Sequence, residues 1–297
     1  MTGSSATIAR GLAALRAAKP RSVLRSAWAW MAPALFTFLL FYVVPLGRMV
    51  YRSLTDPVLS LQHYRHLLVE AVYRDVFWLT VEVSGLVTVG ALLAGYPVAY
   101  LLATLRGRAV YIVLVLVLLP FWISALVRNY AWIALLARNG LINTYLIKLG
   151  IITTPLPFMF NLSGVVIVMT YVLVPFMILS LYGVMRGIDR RLVRASTSLG
   201  ASRLQTFWYV FFPLSLPGVW AGCLLVFITA MGFYITPMML GGGRVPMVAV
   251  LIDNQVRNIL NWGLASALAC TLLLAVLVIY YVFDRVLGID RLMEGRH

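Results

Sequence analysis

The sequence predicts an all-α integral membrane protein with six transmembrane helices, and three observations carry that expectation. The 297 residues are 62% hydrophobic and only 11% charged, with a mean hydropathy of +0.95. Soluble domains run at roughly 45–50% apolar and about 25% charged, so this chain is too oily for water and too poor in polar residues for disorder. Second, the apolar residues gather into runs long enough to cross about 30 Å of hydrocarbon, which takes roughly 20 residues of helix. Third, no run alternates as a barrel strand would, and only a helix or a closed barrel satisfies its own backbone in lipid. The two cysteines, Cys223 and Cys270, both lie inside apolar runs, which excludes a disulfide scaffold.

The first span covers about Ala27–Val50, behind a basic leader. Its apolar run is too long for a signal peptide and no small-x-small cleavage site follows, so it is read as retained. Residues 6–18 fit either a short basic amphipathic helix on the membrane surface or a loose tail. The second span covers about Val76–Leu105, and the third about Ala109–Val127, followed by a further apolar piece, Asn129–Ala137. The fourth covers about Ser163–Met185, the fifth Leu214–Pro237 and the sixth Leu264–Phe283. The chain thus divides into a basic tail at 1–26, a six-span domain at 27–285 and a second tail at 286–297.

Lys and Arg set the orientation. With the N-terminus inside, the cytoplasmic side holds the tail residues, Arg106 and Arg108, then Arg186, Arg190, Arg191, Arg194 and Arg203, and finally Arg285, Arg291 and Arg296. The outer loops hold far fewer, so both termini are expected in the cytoplasm. The net charge of +15 then reports orientation rather than a nucleic-acid surface, and no nucleic-acid partner is expected.

Within the second span, Ala91, Gly95, Ala99 and Ala103 recur every four residues and place small side chains on one helix face. Such a stripe lets another helix approach closely in lipid. Pro33, Pro45, Pro97 and Pro175 lie inside spans and suggest kinked helices. Glu82 is the only acid clearly within a span, about one turn into the second. Intramembrane ionisable groups are functional candidates by default, but near the outer end a carboxylate can also reach headgroup water. Arg128, with Asn129 and Tyr130, ends the third run as a snorkelling group, and Trp122, Tyr130 and Trp132 fit an aromatic belt.

The longest inner loop, Asp189–Gly218, spells helix–turn–helix. Asp189 can cap a first helix through Leu199, and Gly200 suits the left-handed position after a helix end. Ser202 then opens a second helix with Gln205 as capping-box partner, and Pro213 and Pro217 stop or kink it at the membrane. Two such helices make either a surface for another protein or an ordinary connector.

Arg194-Ala195-Ser196, Gly200-Ala201, Phe207, Pro213-Leu214 and Pro217-Gly218 resemble the EAA loop of ABC importer permeases, with the family's spacing kept from end to end. Arg194 stands where that family has Glu, Ser196 where it has a second Ala, and Phe212 where it usually has Leu, so the charge at the head of the motif is reversed. Other stretches look like the spermidine/putrescine-type branch: Gly95-Tyr96-Pro97-Val98-Ala99-Tyr100, Leu126-Val127-Arg128-Asn129-Tyr130-Ala131-Trp132, Gly140-Leu141-Ile142-Asn143, and Tyr234-Ile235-Thr236-Pro237 before Leu240-Gly241-Gly242.

The resemblance implies a type I importer permease in the bacterial inner membrane, with cytoplasmic coupling helices. It also implies a second homologous permease completing a heterodimeric pore, two copies of a cytoplasmic ATPase and an extracytoplasmic solute-binding protein. The ATPase-coupling residues would be Arg194, Ala195, Ser196, Gly200, Ala201 and Ser202. For a cationic, polyamine-like substrate the candidate pathway groups are Glu82, Tyr130, Trp132, Tyr234 and Asp253. Against this, the outer loops hold more basic residues than acids, and an opine or other small organic solute is an alternative.

The chain itself is not expected to be an enzyme. Its two lysines, Lys19 and Lys148, follow no glycine, so there is no phosphate-binding loop, no cofactor is expected here, and ATP and Mg belong to the partner ATPase. Gly241-Gly242-Gly243 reads as a flexible outer loop. An ion-coupled secondary transporter would need a coupling acid at the midplane. A metalloenzyme would rest on His63 and His66 alone, with Arg65 between them, so no metal site is expected. Nothing resembles the selectivity filter of a channel.

Overall fold

The computed structural model describes residues 31–56 and 58–287; the possible surface helix at 6–18, the start of the first span and the end of the C-terminal tail lie outside them. All regular structure among the described residues is helical. Among the described residues five helices are long and apolar enough to cross a membrane, and a sixth span is made if one sharply bent pair counts as one. The chain divides into two units, residues 1–52 and 53–297.

The first span is α1, Met31–Thr55, which runs past the expected end at Val50. It contains a π-helical turn over Leu39–Val43, closed by the Val44 N–H donating to the Leu39 carbonyl. Pro45 follows two residues later and has no N–H to give. A wider turn just before a proline is one way a helix absorbs the missing bond without breaking.

In the second unit, α2 (Gln62–Val69) precedes α3 (Ala71–Thr104), and a bent pair follows: α4 (Arg108–Leu118) and α5 (Ala125–Leu136). Next come α6 (Leu141–Lys148), α7 (Leu162–Arg186) and α8 (Arg190–Ser198). Then α9 runs over Arg203–Met231, with α10 (Ile235–Leu240), α11 (Val248–Asn254) and α12 (Trp262–Leu287) after it.

The core is the mutual packing of α3, α7 and α9. The small-residue stripe faces it: Ala91 and Ala99 are fully buried, Gly95 is buried and Ala103 half-buried. A methyl group on Gly95 would stand 3.1 Å from Met177 Cγ and 3.3 Å from Ile178 Cγ1 of α7. From the other side, a methyl group on Gly222 of α9 would stand 2.6 Å from Met177 Sδ. Met177 is therefore a knob held between two glycines, the close approach that association in lipid depends on. The Tyr96 hydroxyl, 2.9 Å from Ser215 Oγ, adds a polar tie between α3 and α9. A smaller cluster of Leu67, Tyr73, Leu264, Ala267 and Leu268 joins α2 and α3 to α12.

Four expectations need correction. The third span does not run straight from Ala109 to Val127: after a 3-10 turn at Leu119–Trp122, an extended link at Ile123 and Ser124 separates an arm over Arg108–Trp122 from one over Ala125–Lys148, bent by 96°. Pro120 breaks the α-helical bonding there, and Arg128 folds back to donate from Nη1 to the Pro120 carbonyl at 3.0 Å. The fifth span is neither Leu214–Pro237 nor separated from the loop before it. It starts at Arg203 and ends at Met231, and Pro237 sits in α10. Pro213 fails to break it because a π turn at Phe207–Phe211 precedes the proline at the same spacing as in α1.

The glycine run is a hydrogen-bonded turn, the Arg244 N–H donating to Gly241 O at 2.9 Å, in which Gly241 is buried while Gly242 and Gly243 are exposed. Gly242 has φ +54° and lies against the Phe160 ring, while the Phe160 N–H donates to Leu240 O at 3.0 Å. Finally, the helix of the second span begins at Ala71 rather than Val76, so Glu82 lies about three turns from its start.

Candidate functional site

The Asp189–Gly218 segment is built from successive local bonds. Asp189 Oδ1 accepts from the Arg191 N–H at 2.8 Å and caps α8. At the other end the Gly200 N–H donates to Thr197 O at 3.1 Å and the Ala201 N–H to Ser196 O at 3.2 Å. This bond pair is a Schellman ending, which needs a left-handed residue after the helix, and Gly200 supplies it with φ +89°. Ser202 and Gln205 then form a reciprocal capping box: the Ser202 N–H donates to Gln205 Oε1 at 2.8 Å and the Gln205 N–H to Ser202 Oγ at 3.3 Å.

Two longer bonds lock the turn to the membrane helices. Ser196 Oγ lies 2.7 Å from Thr206 Oγ1, joining α8 to the foot of α9, and Arg190 donates from Nη2 to Ala103 O at the end of α3 at 2.8 Å. The tip is left bare: Leu199 is 89% exposed and Leu204 69% exposed. Of the six coupling candidates, Ser196, Gly200 and Ser202 make the fold of the turn, Arg194 and Ala195 are exposed on α8, and Ala201 is half-buried beside Gly200. The sequence reading omitted Leu199, Leu204 and Arg190. The two bare leucines in an otherwise polar loop were the available clue.

The pathway candidates separate. The Tyr234 hydroxyl donates to Asp253 Oδ2 at 2.8 Å, and Asp253 Oδ1 accepts from Arg257 Nε at 2.5 Å. Desolvation, and then the Asp253 carboxylate, push the Tyr234 phenol above its usual range. Trp132 packs edge-on to Tyr171 of α7, with ring centroids 5.3 Å apart. Tyr130 is 64% exposed and Glu82 is exposed on the face of α3 turned from the core. Among the described residues no hydrogen bond or ion pair joins either to the Tyr234–Asp253 pair.

Beside them, Thr236 donates to Asn129 Oδ1 at 2.9 Å in a buried bond that fastens α10 to α5. His63 and His66 do not converge: the first ring lies 2.6 Å from Asp56 O, the second 3.1 Å from Glu70.

Comparison with known proteins gives a consistent result. Residues 87–288 match the family described as "Binding-protein-dependent transport system inner membrane component". The chain is 36% identical over 233 residues to the spermidine/putrescine transport system permease protein PotB of Haemophilus influenzae, covering 77% of this chain and 81% of that one. It is 35% identical over 231 residues to PotB of Escherichia coli (strain K12), covering 77% and 84%. Among solved structures, a bacterial ABC transporter involved in the import of the acidic polysaccharide alginate superposes with a TM-score of 0.68 at 18% identity, covering 90% of this chain and 96% of that one.

The family match decides against an ion-coupled transporter, a channel or an enzyme. A six-span helical chain, with one span broken, that matches this family over most of its length is a transport component of the inner membrane. The chain belongs to the binding-protein-dependent transport system inner membrane components, the permeases of ABC importers.

Proposed function

We propose that this chain forms half of the translocation pore of an importer for a small cationic or amine-bearing solute of the polyamine type. The substrate class is supported by the similarity to spermidine/putrescine permease proteins over most of the chain. Beyond the α9 end remote from α8, the Tyr234 ring lies beside a carboxylate, Asp253, that now pairs with Arg257 and that an amine would have to share or take over. The partners are a second, homologous permease, two copies of a cytoplasmic ATPase that carries ATP and Mg, and an extracytoplasmic binding protein. A periplasmic protein bound to the related alginate transporter supports the last. Both termini and the α8 turn face the cytoplasm, following the Arg distribution.

The ATPase grips the turn between α8 and α9. The observation that carries this reading is a bare Leu199 tip on a turn fixed to α3 and α9 by the Arg190 and Ser196 bonds, so force applied to the tip reaches two spans. Arg194, exposed on α8, meets an acidic or neutral position of the ATPase. Labelled putrescine and spermidine, offered to cells expressing the chain with its partner subunits, should accumulate in an ATP-dependent way. Accumulation of an unrelated solute with no competition by polyamines overturns the substrate class. Arg194→Glu should lower transport-coupled ATP hydrolysis, and unchanged hydrolysis counts against the Arg194 contact.

A further inference from the structure

Next to the proposed coupling turn lies a cleft of about 320 Å³ between the α8-side ends of α3 and α7, the start of α8 and the π turn of α9. Arg106, Arg186, Arg190 and Arg194 all line it, and no acid does. Among the described residues none of the four is in an ion pair. Arg190 is turned to Ala103 O, and Arg186 lies 5.8 Å from the centre of the Tyr182 ring while donating to its hydroxyl at 3.3 Å. Asp189, beside them in sequence, spends Oδ1 on capping α8. The remaining wall is mainly apolar, with Tyr100 and Phe211 in edge-to-face contact at 4.9 Å.

Guanidinium forks match phosphate oxygens, and basic clefts between spans at a membrane surface attract anionic headgroups. A free phosphate would gain nothing from the apolar wall, whereas a lipid fills both halves: phosphodiester on Arg106, Arg186 and Arg190, glycerol and upper acyl chain on the rings. The cleft also lies where membrane-crossing helices end, the depth at which headgroups sit. We propose that this cleft binds the headgroup of an anionic phospholipid from the leaflet on the α8 side, bracing α8 against α3 and α7. Only the naming of that leaflet as cytoplasmic rests on the proposed function.

The test is native mass spectrometry of the assembled importer in mild detergent, with phosphatidylglycerol, phosphatidylcholine or inorganic phosphate added. Phosphatidylglycerol should be retained in preference to phosphatidylcholine. Arg106→Gln with Arg186→Gln should weaken that retention roughly thirtyfold, the combined loss of two basic contacts of about 1 kcal/mol each. Should the double variant fail to assemble, thermal stabilisation of the unmodified complex by phosphatidylglycerol over phosphatidylcholine carries the same claim. Equal retention of both lipids, or retention untouched by the substitutions, overturns it. So does displacement of the lipid by millimolar phosphate, which would mark a free-anion site, or retention only after the ATPase is stripped away, which would mark a protein contact. Uptake is not the readout, so the lipid site and the transport assignment fail separately.

Discussion

The three-helix core and the α8 turn are both tightly defined, but by opposite means. In the core, α3, α7 and α9 meet through absent side chains: Met177 fits because Gly95 and Gly222 leave it room. In the turn almost nothing is buried and order comes from discrete bonds, namely the Asp189 cap, the Schellman ending at Gly200, the Ser202–Gln205 box and the Ser196–Thr206 tie. Volume fixes the first region and hydrogen-bond direction the second. A part left exposed cannot be held by burying itself, so a polar framework is the means left to it, which suits the grip proposed for it.

That contrast can be broken most severely in the core. Gly222→Leu drives a side chain into the thioether of Met177, which is fully buried. Overpacking costs about 1–3 kcal/mol, and an effect toward the top of that range should appear as a lower yield of folded chain in the membrane and a clear fall in thermal midpoint. Near-normal yield and midpoint would mean the α7–α9 approach is not tight.

In the turn the next largest effect is Gly200→Val. No atom lies within 4 Å of the position a Cβ would take, so sterics with neighbours are nil and only the backbone at φ +89° is at issue. A β-branched residue is a strong outlier there while Asn is tolerated. Gly200→Val should leave insertion intact and uncouple ATP hydrolysis from uptake, and Gly200→Asn should retain most coupling. Equal behaviour of the two would remove the left-handed turn from the account.

The smallest expected effect is Ser202→Ala, which deletes half of one capping box. Such losses cost about 1 kcal/mol, so a modest fall in coupling efficiency with no change in membrane yield is expected. A loss of yield as large as that of Gly222→Leu would contradict the division between the two regions.

Local chemistry was legible in the sequence wherever the partners are near in the chain. Asp189, Gly200 and the Ser202–Gln205 pair take the roles their spacing implies, and the Ala91–Gly95–Ala99 face is the one that packs. Misreadings arose where the outcome depends on something remote or compensating. Pro213 reads as a stop, but a π turn of five ordinary residues absorbs it. Pro120 breaks the third span, with Arg128 bonding back across the bend, a pairing that apolar length does not reveal. The glycine run looked loose because Phe160, which lies against it, comes from before α7. Of the pathway candidates only Tyr234 and Asp253 meet, since composition lists polar groups without saying which bond to one another.

The central claim is that the Leu199 tip is where the ATPase holds this chain. A photo-crosslinking residue, Leu199→p-benzoylphenylalanine, placed in the assembled importer in membranes and irradiated, tests it most directly. The account predicts an adduct with the ATPase subunit, stronger than one from the same residue at Tyr145 of α6, which is also exposed. Equal adducts from both positions, or an ATPase adduct from Tyr145 and none from Leu199, would contradict it.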